Sequence, residues 1–135
     1  MTTPVVSPVR AAPQIREPLP AGDWHGARSA ASVPIDASEP VFEGHYPNFP
    51  IFPGVCVVEC AHRAAVATAD DAGTRIELAA LESARFLGPV FPGDRIDLDL
   101  RWTRVEDGWR CAVLATTGSG DAAKIRLRYR TDVPR

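Results

Sequence analysis

Gly44-His45-Tyr46-Pro47-Asn48-Phe49-Pro50-Ile51-Phe52-Pro53-Gly54-Val55-Cys56-Val57-Val58-Glu59 is the stretch that decides how this chain is read. Prolines 47, 50 and 53 exclude a regular helix through its first half and stiffen a loop that carries His45. Pro53 then suits the entry to a helix. That helix is predicted to begin at Gly54 or Val55 and to run to about Ala69. Asp70-Asp71-Ala72-Gly73 ends it, with Gly73 as the terminator. Val55, Val57, Val58, Ala61, Ala64, Ala65, Val66 and Ala67 leave little polar surface, so the helix is expected to be buried nearly all round.

A buried helix needs other layers to cover it, and the flanking sequence supplies strands. Ile96, Leu98, Leu100 and Trp102 alternate with Arg95, Asp97, Asp99 and Arg101, the period of a half-buried strand. Trp109, Cys111, Val113 and Ala115 repeat the pattern beyond a Glu106-Asp107-Gly108 turn. Ile125, Leu127 and Tyr129 repeat it again after a turn at residues 117–120. Arg75 to Ala80 and Ser83 to Leu87 read as one strand or a bulged pair, and Ala27 to Ile35 as a weaker strand. Residues 1–22 carry Pro4, Pro8, Pro13, Pro18 and Pro20 and read as a flexible arm, or at best one edge strand near Val9 to Leu19. Residues 23–135 then form a single domain of the α+β class, one long central helix with a curved antiparallel sheet wrapped around it.

Composition narrows the function. The 135 residues amount to one domain, and the 45% apolar content predicts a folded core. A net charge of −2 gives no basis for nucleic-acid binding. No run approaches the ~20 apolar residues of a membrane span, and no secretory signal is visible, so the cytoplasm is the expected location. The three cysteines, Cys56, Cys60 and Cys111, form no C-x-x-C pair. Cys56, Cys60 and His62 read as packed helix residues rather than a metal site, so no metal is expected.

Three residues of the opening stretch carry candidate chemistry. Glu59 lies one turn or so into the apolar helix; it either points to water or is a costly buried carboxyl poised to donate a proton. His45 is either a structural loop residue or a base held at fixed distance by its prolines. Gly54 allows a tight turn, and its N–H at a helix start also suits developing negative charge. On the last strand, Lys124, Arg126, Arg128 and Arg130 form a basic row. It is expected to be a solvated face paired with acids such as Asp97 and Asp99, with a carrier-docking or phosphate-binding surface as the alternative.

The pattern Gly44-His45-Tyr46-Pro47, then Pro50, Pro53-Gly54-Val55 and Glu59, resembles the β-hydroxyacyl-acyl-carrier-protein dehydratases of the hotdog fold. Ala84-Arg85-Phe86-Leu87-Gly88-Pro89-Val90-Phe91-Pro92-Gly93-Asp94-Arg95 is similar to a second motif of that family, and Glu39-Pro40-Val41-Phe42 to the segment leading into its histidine loop. The match covers roughly Ile35 to Tyr129. The resemblance implies a homodimer, or a higher oligomer, with one continuous sheet and active sites at the interface. There His45 of one subunit faces Glu59 of the other. His45 would remove the α-proton of a β-hydroxyacyl thioester, Glu59 would protonate the departing hydroxyl, and the Gly54 N–H would hold the thioester carbonyl. Tyr46, Pro53, Val55, Arg63 and Phe86 would contact the substrate. The acyl group would arrive on phosphopantetheine, from acyl carrier protein or coenzyme A, in fatty-acid or polyketide biosynthesis, with no other cofactor.

Three departures from the family pattern bear on the chemistry, one of them a segment between the helix and the next strand that looks shorter than usual and would reshape the acyl tunnel. The Pro-rich arm replaces an N-terminal helix, and Arg63 stands where the family commonly has glutamine. Arg63 follows Glu59 by four residues, on the same helix face, where an ion pair would weaken Glu59 as an acid. A hotdog thioesterase and a non-catalytic acyl-binding subunit therefore remain alternatives.

Overall fold

The computed structural model describes residues 9–42 and 51–131. Strands β1 (Gln14–Glu17) and β2 (Arg28–Pro34) are followed by a short 3-10 turn at Pro40–Phe42 and by helix α1 (Gly54–Asp71). Then come β3 (Glu77–Phe86), β4 (Arg95–Val105), β5 (Gly108–Thr117) and β6 (Gly120–Arg130). The strands form one antiparallel sheet in the order β1-β2-β4-β5-β6-β3. The sheet curls around α1, which contacts β1, β2, β4, β5 and β6. This is the hotdog fold.

Side-chain alternation builds the core. Ile96, Leu98, Leu100 and Trp102 of β4 point inward with Cys111, Val113 and Ala115 of β5 and Ile125, Leu127 and Tyr129 of β6. The facing stripe of α1 is Cys56, Val57, Cys60, Ala61, Ala64, Ala65, Thr68 and Ala69. Its small side chains let helix and sheet approach closely. A polar thread through this core is satisfied. Trp102 Nε1 donates to Ser29 Oγ at 3.0 Å, Ser29 Oγ donates to Thr68 Oγ1 at 3.4 Å, and Thr68 Oγ1 donates to the Ala64 carbonyl at 3.1 Å.

Both helix ends follow from sequence. Pro53 is the N-cap residue, extended at φ −64° and ψ 149°, and offers no side-chain cap. At the other end Gly73 takes φ +83°, a left-handed turn that glycine tolerates, and the N–H groups of Gly73 and Thr74 return to the Asp70 and Ala69 carbonyls.

Two expectations need correction. The helix is not buried all round: Val55 is 71% exposed, and Val58, Glu59, His62, Arg63 and Val66 are only half-buried. A single sheet can cover one side of a helix, and among the described residues no second layer covers the opposite side. The basic row of β6 does not pair with Asp97 and Asp99. Arg128 and Arg130 meet Glu82 and Glu77 of β3, while Asp97 pairs with Arg95 and Asp99 with Arg28.

β3 is a single strand with two register shifts against β6, between Leu78 and Ala80 and between Leu81 and Ser83. It forms one rim of the sheet and exposes Leu78, Leu81 and Phe86.

Candidate active site

Helix α1 organises the candidate site. Its first turn is tied down from below, because the Cys56 and Val57 N–H groups both reach back to the Pro53 carbonyl at 2.9 and 3.2 Å. The amides of Gly54 and Val55 make no such backbone bond among the described residues. They form the positive end of the helix dipole, next to no acidic residue in the first turn. A Cβ built on Gly54 would come within 2.8 Å of the Phe86 ring. Glycine therefore lets the β3 end press its aromatic ring against the helix start. Phe86, 53% exposed, thus joins Gly54, Pro53 and Val55 around one helix terminus.

Glu59 lies half-buried on α1, outside its core-facing stripe, between the two alternatives left open by sequence. His45 and Tyr46 lie outside the described residues. Arg63 does not make the anticipated ion pair with Glu59 among the described residues. Its Nη1 instead donates to the carbonyls of Val9 and Ala11, both at 2.8 Å.

Two groups were not assigned a role by sequence. His62 Nδ1 lies 2.9 Å from the Tyr129 hydroxyl, and the two rings stack at 5.8 Å. Burial lowers the His62 pKa below its ordinary value, against a smaller opposing effect of Glu59. The proton affinity is thus lower folded than unfolded. Stability is full at neutral pH, where both states hold the neutral ring, and falls as the pH drops below the ordinary histidine range near 6.5, where the unfolded chain binds the proton more readily. His62→Gln is expected to flatten the loss of urea stability between pH 7 and pH 5; an unchanged slope would remove His62 as its source. Sequence gave no cue to this pair, since the residues are 67 positions apart.

The second is Glu39, 3% exposed, whose carboxylate accepts from the Arg10 N–H at 2.9 Å and the Ala11 N–H at 3.0 Å. The cysteines carry no comparable chemistry. Desolvation raises all three thiol pKa values, Cys60 to about 12, so none offers a thiolate near neutrality. Cys56 and Cys60 face the core while His62 turns to Tyr129, and among the described residues no group of three metal-type ligands forms. No described helix is long and apolar enough to cross a membrane.

Comparison with known proteins gives this arrangement a context. The family model described as ApeI-like, ApeI dehydratase, matches residues 24–123. The 3-hydroxyacyl-acyl-carrier-protein dehydratase FabZ of Roseiflexus sp. (strain RS-1) is 34% identical over 87 residues, 62% of this chain and 61% of that protein. The FabZ of Verminephrobacter eiseniae (strain EF01-2) is 35% identical over 101 residues, 69% and 67% of the two chains. The chain spans about 61% of the length of the curated relatives it matches first. Among solved structures, the dehydratase heterocomplex ApeI:P from Xenorhabdus doucetiae aligns with a TM-score of 0.63 at 17% identity, over 87% of this chain and 97% of that one. A hypothetical thioesterase with coenzyme A from Streptococcus pneumoniae TIGR4 aligns at 0.69 and 10% identity, over 91% and 88%. At these identities the structural likeness concerns the fold alone.

Proposed function

This chain belongs to the ApeI-like dehydratase family, and on that premise we propose that it removes water from a β-hydroxyacyl thioester carried on phosphopantetheine, leaving the α,β-unsaturated acyl thioester. The observation that carries the reading is the pairing, on one helix, of an acid and an anion-binding end: Glu59 on the half-buried face, and the Gly54–Val55 amides at a terminus without a side-chain cap.

In this reading His45 takes the α-proton, and the electron pair of that C–H bond forms the Cα–Cβ double bond. The Cβ–O bond breaks, and Glu59 supplies the proton with which the hydroxyl leaves as water. Negative charge collecting on the thioester oxygen is held by the Gly54 N–H, aligned by the helix dipole. Pro53, Val55, Arg63 and Phe86 line the approach, and Tyr46 would contact the substrate with them. The bond changes balance without an electron acceptor or a metal, so the reaction calls for no cofactor beyond the carrier's own arm.

The bare β3 rim supports a homodimer. Its outer edge is unpaired within the described residues, and Leu78, Leu81 and Phe86 are exposed along it. Joining β3 to β3 of a second copy would cover both and bring His45 of one subunit toward Glu59 of the other. On the outer sheet face, Arg101, Lys124 and Arg126 surround a groove of about 340 Å³. That groove suits an acidic carrier protein or the phosphates of coenzyme A. We place the reaction in the cytoplasm, in fatty-acid or polyketide-type biosynthesis. Arg63 donates to the arm carbonyls of Val9 and Ala11, which supports the catalytic reading over a non-catalytic acyl-binding one.

The test is a spectroscopic assay on β-hydroxyacyl thioesters of several lengths, offered on carrier protein and on coenzyme A. Enone absorbance should rise without release of free thiol. Thiol release in its place would make the protein a thioesterase, and no turnover on any thioester would end the proposal.

A further inference from the structure

The outer face of the sheet carries its cations in two unlike ways. Most of them meet a carboxylate. Arg28 reaches Asp99 and Glu17, Arg95 reaches Asp97, Arg110 and Arg128 reach Glu82, and Arg130 reaches Glu77. Arg101, Lys124 and Arg126 do not. Among the described residues none of these three makes an ion pair or a side-chain hydrogen bond. Asp99, beside Arg101, already accepts from Arg28 at 2.7 Å, and Glu82, within the field of Arg126, is held by Arg110 at 2.6 Å.

Strand register crowds the unmatched cations together. Lys124 and Arg126 stand two apart on β6, Arg85 of β3 is paired with Lys124, and Arg101 of β4 is paired with Arg28 of β2. Residues paired across strands share a face, and like charges set opposite one another are destabilising. The fold thus bears a local repulsion that carboxylates relieve elsewhere on the same face and leave standing here.

The groove of about 340 Å³ lies between these cations, floored by Ala112 and Leu114 of β5. β5 separates β4 from β6, so Arg101 stands on one wall and Lys124 and Arg126 on the other, two strand spacings or about 10 Å apart. Its volume falls at the low end of small-molecule sites, about 300–1,000 Å³. A docked protein needs roughly 800 Å² on each side, and the matched ion pairs around the groove leave it little further charge to answer. A second copy of this face would set cation against cation. Shape and charge call for a compact anion with an apolar body and negative groups at two separated points.

We propose that the groove seats the 3′-phosphoadenosine diphosphate end of coenzyme A, so that the chain takes coenzyme A thioesters unaided. The adenine lies over Ala112 and Leu114, and the 3′-phosphate and 5′-diphosphate engage opposite walls. The groove adjoins the candidate active site. Lys124 follows Ala123, the register partner of Phe86, and the Phe86 ring abuts Gly54 on the inner side of the sheet. β3 ends at Phe86, so the pantetheine arm passes round the strand end from the outer face to the helix start. Delivery of the acyl group rests on the dehydratase reading; the nucleotide seat does not.

The test is calorimetric titration of the full chain with coenzyme A, ADP, pantetheine and acyl carrier protein, none of which requires turnover. Coenzyme A is expected to bind more tightly than ADP, which lacks the 3′-phosphate, and more tightly still than pantetheine, which has no phosphate. Lys124→Gln and Arg126→Gln are each expected to weaken coenzyme A binding about tenfold, and added salt to weaken it in wild type. Arg128→Gln, which removes a cation already answered by Glu82, is expected to change it by less than about twofold. Positions 124 and 126 are exposed within a cation cluster, so neither substitution should lower the urea midpoint, and lost binding is then not lost folding. ADP binding as tight as that of coenzyme A would make the groove a free-nucleotide site. Equal affinity for pantetheine, or full affinity in both glutamine variants, would put the coenzyme elsewhere. A loss of affinity for carrier protein alone would make the groove a protein-docking face. Each of these results, like an absence of coenzyme A binding, overturns the proposal. A chain that binds coenzyme A in the groove yet dehydrates no thioester keeps the nucleotide seat and loses the dehydratase reading, so the two failures are told apart.

Discussion

Replacing Glu59 with glutamine is expected to lower kcat for dehydration by about 10²–10⁴-fold, the usual contribution of a positioned proton donor. Glutamine keeps the length, the planar end and one oxygen of the side chain, so steric fit is preserved. What it removes is the transferable proton. The helix position is half-buried and outside the core-facing stripe, so no core packing is lost. The expected change in urea stability is therefore small, within about 0.5 kcal/mol. KM should change less than kcat, because the lost interaction belongs to the transition state. Steady-state formation of the unsaturated thioester, run beside a urea titration of the same sample, checks all three statements. A variant that keeps more than a tenth of wild-type kcat would remove Glu59 from the acid role.

Trp102→Ala is expected to have the largest effect on stability. Trp102 is 1% exposed and lies edge-on to Trp24 at 5.2 Å, with Tyr129 at 6.4 Å. Truncating a fully buried tryptophan leaves a large void that a helix and sheet this closely packed cannot close. The cost is about 3–5 kcal/mol. The indole also donates to Ser29, which stands next to Thr68. Its removal withdraws a donor from a buried hydroxyl, adding roughly 1–3 kcal/mol if no water replaces it. For a domain whose whole stability is about 5–15 kcal/mol, that is a large share. Trp102→Phe separates the contributions, since it keeps an aromatic ring and loses the donor. Urea midpoints for the two variants should fall in the order alanine well below phenylalanine, and phenylalanine below wild type. Equal midpoints for alanine and wild type would mean that the core repacks around the gap.

The helix and the long strands were legible because local rules govern them. Pro53 and Gly73 marked the ends of α1 to within two residues, and the alternation of Ile96 to Trp102 and of Ile125 to Tyr129 marked inward faces. Strand order was not legible, and the misassigned ion pairs follow from that. β6 lies between β5 and β3, so its outward arginines meet Glu77 and Glu82 of β3, while Asp99 of β4 lies beside β2 and takes Arg28. The buried-all-round reading of α1 failed for a related reason: composition counts apolar residues but does not say how many layers are present to cover them. At the site, the Gly54 turn and the Phe86 contact belong to motifs that could be recognised. The grip of Arg63 and Glu39 could not, because it links side chains to main chain across 54 and 29 residues and leaves no periodic trace.

All three tryptophans of the chain converge on one spot, Trp24 lying 5.2 Å from both Trp102 and Trp109. Indoles that close exchange excitation before they emit, so the intrinsic fluorescence of this protein behaves as a single lamp rather than three. Their coupled transitions should also imprint a split band on the circular dichroism spectrum, one that disappears when the cluster separates. An optical melt would therefore follow the fate of this one corner of the sheet, and events at the far rim would need a dye or a label to be seen.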